Sequence, residues 1–190
     1  MHKIKKLYSD SFQELKVTQN LVFCGMMAAL AIVLNYTTTI NITQYIRIGF
    51  SGLPNRVVEF MFGPAIGAIF GGMLDILKFF LKPDGGAFFF GYTLNVMVAG
   101  VIYGSILYQK PVRLKRILIA ELLVKIIVNC CLNTLWLSLL NGSAFMVILP
   151  ARILRNLIML PIDTVIVFFM LNCITRIMHT NGIHSYDNRK

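Results

Sequence analysis

Apolar side chains dominate six stretches of the chain, at about residues 20–35, 53–62, 64–81, 88–108, 117–139 and 146–174, with polar residues collected between them. A helix needs about 20 predominantly apolar residues to cross a bilayer core of about 30 Å, so the pattern predicts membrane-spanning helices rather than the amphipathic helices of a soluble domain. The second and third stretches are divided at Gly63–Pro64. Proline removes a helix hydrogen bond and marks a turn, which predicts a short second helix followed by a separate third. The first stretch frays into "NYTTTINITQ" with no small-residue cleavage pattern, so it is expected to stay as a mature helix.

Composition agrees with this reading. Hydrophobic residues make up 57% of the 190 and charged ones only 14%, where soluble domains carry about 25% charged. The expected fold is an all-α integral membrane protein, a single domain over 1–190 built as a six-helix transmembrane bundle, with tails at 1–19 and 176–190. The net charge of +10 does not point to nucleic acid, because the cations sit between and beyond the apolar runs rather than along one polar face. They act as topology signals. With six crossings, Lys3, Lys5, Lys6 and Lys16, then Lys110, Arg113, Lys115 and Arg116, then Arg176, Arg189 and Lys190 all fall on one side. The positive-inside rule makes that side, and both termini, cytoplasmic. Arg47, Arg56, Lys78, Lys82, Arg152 and Arg155 then fall in or near the outer half. Snorkelling to the headgroups accounts for one such residue at a helix end more readily than for all six.

Positions three, four and seven apart share a helix face. Arg152, Arg155, Asn156 and Asp163 form one polar stripe and Lys125, Asn129, Asn133 and Trp136 another, while Asp75, Lys78 and Lys82 repeat the offsets and Tyr92 and Asn95 add to them. Lipid offers buried polar groups no partner, so stripes on several helices are satisfied by facing one another around a polar pocket, or by interhelical bonds that leave no room for a ligand. Glu121 with Lys125, and Arg56 with Glu59, have the spacing of local pairs. Gly63, Gly67 and Gly71, and Gly100 with Gly104, permit close helix contact. Gly25, Ala28, Ala29 and Ile32 give the first helix a smooth face suited to docking another helix.

Other chemistry is narrowed by what is missing. His2, His179 and His184 are terminal, Cys24, Cys130, Cys131 and Cys173 lie in apolar runs, and no GxxxxGKS/T stretch exists to bind ATP phosphates. No enzyme activity, metal or cofactor is expected, and an ATP-driven step has to come from another polypeptide.

The segments "IRIGFSGLPNRVVEFMFGPAIGAIFGGMLDILK", "GAFFFGYTLNVMVAGVIYG", "LNTLWLSLL" and "LPARILRNLIMLPID" resemble the folate-specific substrate-binding subunit (S component) of energy-coupling factor (ECF) vitamin transporters, over about residues 20–175. The first two occur in looser form in S components for other vitamins; the folate assignment rests on the last two. The resemblance implies a six-helix subunit of a bacterial cell membrane that captures a vitamin from outside, pairs with a membrane scaffold subunit and two ATPases, and topples in the bilayer to deliver its cargo. It also implies an AxxxA-type docking motif on the first helix, whose spacing Gly25 and Ala29 match, with Gly in place of the first Ala.

A folate has a flat pterin with a hydrogen-bonding edge and a tail bearing two carboxylates. Arg152 and Arg155, helped by Lys78, are expected to hold the carboxylates, since the Arg fork suits them. Asn95, Asn133, Asn156 and Asp75 are expected on the pterin edge, with Trp136, Phe89 and Tyr92 stacked on the rings. The connections containing Ile48, Gly49 and Phe50, and Gly85 and Gly86, are expected to cap and release the cargo. S components for thiamin or riboflavin share the architecture but their cargoes lack the dicarboxylate tail; a small autonomous transporter would need a continuous pore or inverted repeats.

Overall fold

The computed structural model describes residues 7–12, 17–38, 40–41, 47–81, 88–141 and 145–180. Residues 7–12 are helical, followed by α1 (Thr18–Thr37), α2 (Leu53–Leu81), α3 (Phe90–Leu107), α4 (Leu114–Val124), a π-helical segment (Lys125–Leu132), α5 (Asn133–Asn141) and α6 (Phe145–Thr180). Five runs are long and apolar enough to cross a membrane: α1, α2, α3, the continuous stretch from α4 through α5, and α6. One departure from an all-helical chain occurs among the described residues. Strands β1 (Ile40–Asn41) and β2 (Arg47–Ile48) pair antiparallel after α1, with Ile40 opposite Ile48 and Asn41 opposite Arg47.

The run Leu53–Leu81 is not one straight rod. Gly63 stands at φ 87°, ψ −171°, a conformation that is essentially glycine's alone. A methyl group on Gly67 would lie 3.4 Å from Glu59 Cα, and one on Gly71 would lie 3.7 Å from Asn55 Nδ2. In a straight helix the first pair would be about 12 Å apart along the axis. The contacts are symmetric about Gly63, so the chain reverses there, and α2 is a hairpin of a short arm, α2a (residues 53–62), and a longer arm, α2b (residues 64–81). The break expected at Gly63–Pro64 is therefore present as a full turn. Ser11 closes the tip: its Oγ donates to Phe62 O at 2.5 Å and accepts from Ile66 N–H at 3.3 Å, serving backbone groups that the turn leaves without helical partners.

The two glycine seams meet each other. A Cβ at Gly100 would come within 2.7 Å of Gly67 C, and one at Gly104 within 2.7 Å of Gly63 C, so α3 lies backbone to backbone on α2b, as small-residue motifs allow. The core has two parts. Phe60, Tyr103, Leu107, Ile117, Val167 and Leu171 join α2a, α3, α4 and α6, while Val58, Phe62, Ile66, Phe70 and Leu74 of the hairpin hold α1 through Ala31. Ala31 is the sole fully buried residue of α1, which makes α1 the peripheral helix. Ser11, the Gly63 turn and Leu171 lie toward one end of the bundle; Tyr36, whose OH donates to Leu81 O at 2.6 Å, marks the other.

Candidate functional site

Arm α2a has ten residues and rises about 15 Å, roughly half the depth of a hydrocarbon core. The chain before it, Gly49–Leu53, therefore dips into the end of the bundle opposite the Gly63 turn, and a cavity of about 730 Å³ opens there between the hairpin, α3, the π segment and α6. That size lies within the range of small-molecule pockets, about 300–1,000 Å³.

The deep end is a charge cluster. Arg56 Nη1 donates to both carboxylate oxygens of Glu59 at 3.0 and 3.1 Å, its Nε lies 3.9 Å from Glu121 Oε1, and its guanidinium carbon is 3.6 Å from the centroid of the Tyr103 ring. The Arg56–Glu59 pair is thus formed as its spacing implied. The Glu121–Lys125 pair is not: Glu121 turns to Arg56, and Lys125 Nζ donates to Asp163 Oδ2 on α6 at 2.6 Å. Both side chains are buried on the bundle side of their helix, where counter-charges from neighbouring helices neutralise them across the interior.

The π segment shapes the next wall. Its hydrogen bonds reach five residues back, as from Asn133 N–H to Val128 O, and such wide turns are frequent at functional sites. Thr134 Oγ1 donates to Asn129 O at 3.3 Å, and Arg152 Nη1 reaches the same carbonyl at 3.4 Å from α6. At the mouth, Lys78 Nζ donates to Ser51 O at 3.0 Å and Thr93 Oγ1 donates to Asp75 Oδ2 at 2.8 Å.

Eight of the ten expected ligand residues line this one cavity: Arg152, Arg155, Asn95 and Asn133, and Asp75, Lys78, Tyr92 and Phe89. The remaining two stand behind it. Asn156 donates to Cys130 Sγ at 3.2 Å and accepts from Asn129 Nδ2 at 3.5 Å, while Trp136 donates from Nε1 to Asn95 Oδ1 at 3.1 Å and meets Phe89 edge-on at 5.5 Å. Trp136 thus meets the cavity through two of its lining residues, Asn95 and Phe89. Of the capping residues, Gly49 and Phe50 line the cavity, the backbone of Ile48 is held in the ladder with Ile40, and Gly85 and Gly86 lie outside the described residues. Further polar lining residues were not singled out for binding, among them Asn55, Asn129, Lys125 and Asp163. The last three were visible as stripe members; Asn55, near the start of α2a and far from the Gly63 turn, belonged to none of the stripes.

Five cations line the cavity, Arg56, Lys78, Lys125, Arg152 and Arg155, against three carboxylates, Asp75, Glu121 and Asp163. Phe79, Phe88, Phe89 and Tyr92 gather on one side, so the space combines a positive surplus with an aromatic wall. On the outer surface of α1, Gly25 and Ala29 are exposed, whereas Ala28 and Ile32 are half-buried against the hairpin core. All four stand at offsets of three, four and seven on one helix face, whose exposed edge is Gly25 and Ala29.

The family model for the substrate-specific component of ECF transporters matches residues 19–171. The chain is an ECF substrate-specific component. Among curated proteins this S component is 33% identical over 173 residues to the folate transporter FolT of Clostridium novyi (strain NT), covering 91% of this chain and 99% of that one. It is 31% identical over 163 residues to the folate transporter FolT of Leuconostoc mesenteroides, covering 82% and 85%. Among solved structures, the crystal structure of FolT bound with folic acid superposes on the S component with a TM-score of 0.75 at 29% identity, covering 82% of this chain and 94% of that chain. The helical, multi-pass membrane architecture agrees with that membership, and the family's role in substrate binding for transport follows from it.

Proposed function

We propose that this chain is the folate-binding subunit of an ATP-driven ECF importer in a bacterial cell membrane. It crosses the bilayer six times, α2a and α2b counting separately, with both termini cytoplasmic and the cavity open to the outside. It captures folate there and delivers it by toppling when docked to a scaffold subunit and two ATPases. One observation carries the reading: an aromatic-walled cavity with a surplus of positive charge lies in a chain whose relatives over nearly its whole length are named folate transporters.

In this reading Arg152 and Arg155 hold the glutamate carboxylates with Lys78 at the mouth. Asn95, Asn133 and Asp75 meet the pterin edge, Phe89 and Tyr92 flank its rings, and Asn156 and Trp136 brace the wall from behind. Gly49 and Phe50, with Ile48 in the adjoining ladder and Gly85 and Gly86 in the next connection, close over the cargo. Gly25 and Ala29 present the docking face, with Ala28 and Ile32 fixing the helix beneath it.

A panel of folic acid, thiamin and riboflavin titrated against the purified subunit, read by fluorescence of the sole Trp136, tests the cargo. Folic acid is expected to bind at one-to-one stoichiometry and the others weakly. Vesicles holding the subunit alone are expected to accumulate no folate, and those holding the full complex to do so with ATP. Preferential binding of thiamin or riboflavin would overturn the reading.

A further inference from the structure

Trp136 holds the amide of Asn95 in one orientation, and that orientation has chemical consequences. The indole N–H is a donor and nothing else, so the Asn95 atom 3.1 Å from it has to be the carbonyl oxygen Oδ1, however amide flips are usually assigned. Asn95 is buried and lines the cavity. With Oδ1 held toward the indole, the end of the amide turned away from Trp136 is its NH2, a donor.

The indole is itself seated firmly. Gly91 lies one turn before Asn95 on the same face of α3, and a Cβ there would stand 2.8 Å from Trp136 Cδ2, so only glycine leaves room for the ring. Phe89 closes the third side, its ring edge-on to the indole at 63°. Gly91, Asn95 and Phe89 thus form a slot on α3 that receives a side chain from α5.

We propose that Trp136 is a positioning residue which fixes Asn95 as a hydrogen-bond donor and so makes the cavity select a heterocycle presenting an acceptor, an oxo group, over one presenting an amino group at the same place. The inference rests on the folate reading, in which that heterocycle is the 4-oxo pterin. Asp75, an acceptor engaged by Thr93, lines the same cavity and complements the donor. An amide-like edge, C=O beside N–H, satisfies both; a 4-amino ring sets its donor against the Asn95 NH2. Mismatching a buried polar pair costs on the order of tenfold or more in affinity.

The test compares folic acid with its 4-amino-4-deoxy analogue by titration calorimetry, because the variant removes the fluorophore. Wild type is expected to prefer folic acid by about tenfold or more. In Trp136→Phe, which keeps a ring in the slot and loses the N–H, the amide can turn over and the preference should fall toward unity. Asn95→Asp in the wild-type tryptophan background keeps an oxygen for the indole and places an acceptor where the donor was, so the ratio should move toward the amino compound. Both ligands carry the same anionic tail, so the added charge cancels in the ratio, and general damage to the fold cannot move it in opposite senses for the two ligands. Equal binding of the two compounds by wild type, or a ratio unchanged in Trp136→Phe, would overturn the inference alone. Failure of wild type to bind folic acid would remove the folate reading and the inference with it.

Discussion

At the scale of single residues, the cavity depends on which charges already have partners. Arg56 is held by Glu59 and lies near Glu121, and Lys125 is held by Asp163, so these groups brace the bundle. Arg152 and Arg155 line the same cavity, Arg152 with Nη1 on the Asn129 carbonyl, and an anionic guest is a natural complement to the two guanidinium groups. Replacing Arg155 by Ala is expected to weaken folic acid binding by about 2 kcal/mol, the value of a hydrogen bond to a charged group, measured by titration in detergent. Unchanged affinity would remove Arg155 from the site. Most of these residues were legible in the sequence, because ionisable side chains inside apolar runs are costly and functional by default. Trp136 was legible as part of a stripe, but its bond to Asn95 was not. Periodicity places a side chain on a face; whether it touches the guest or the wall behind it depends on a neighbouring helix, here on the absence of a Cβ at Gly91.

At the scale of elements, the Gly63 turn and the π segment set the geometry. Substituting Gly63 by Ala forces a side chain into a positive-φ conformation and brings its Cβ to 2.9 Å from Tyr108 Cδ1. The expected loss is about 2–3 kcal/mol, read as a lowered thermal unfolding midpoint with folic acid present and absent. The π segment has no comparable signature in the sequence. Its residues Lys125–Leu132 look like ordinary helix, and the insertion of an extra residue per turn is decided by the packing of Arg152 and Thr134 around Asn129 O. Deleting the exposed Cys131 should let the stretch relax to an α-helix and rotate Asn133 and Trp136 by about 100°. Helix content by circular dichroism should hold while folic acid binding is lost; retained binding would show that the wide turn is dispensable. The Gly63–Pro64 break, by contrast, could be read directly, since glycine followed by proline can do little else in the middle of an apolar run.

At the scale of the molecule, the outline of a helical membrane bundle followed from hydropathy alone, while the relation of one helix to the rest did not. Helix α1 is attached through Ala31 and the half-buried Phe23, Met27, Ala28 and Ile32, and turns Gly25 and Ala29 outward. A bulky residue on that exposed side should block assembly with the scaffold without touching the cavity. Ala29→Trp is expected to abolish ATP-dependent folate uptake in vesicles and co-purification of the scaffold, with folic acid affinity of the isolated subunit within about twofold of wild type. Twofold is about 0.4 kcal/mol, inside the range for surface substitutions. Normal uptake would mean that this face is not the contact.

The half-depth arm α2a carries a further consequence. Because the well begins where that arm starts, its depth is governed by the number of residues strung between Thr38 and Leu53 and by the turns wound into α2a. A descendant lineage could therefore accommodate a longer or a shorter cargo by trimming or extending one connection, leaving the glycine-to-glycine packing of the hairpin on α3 untouched.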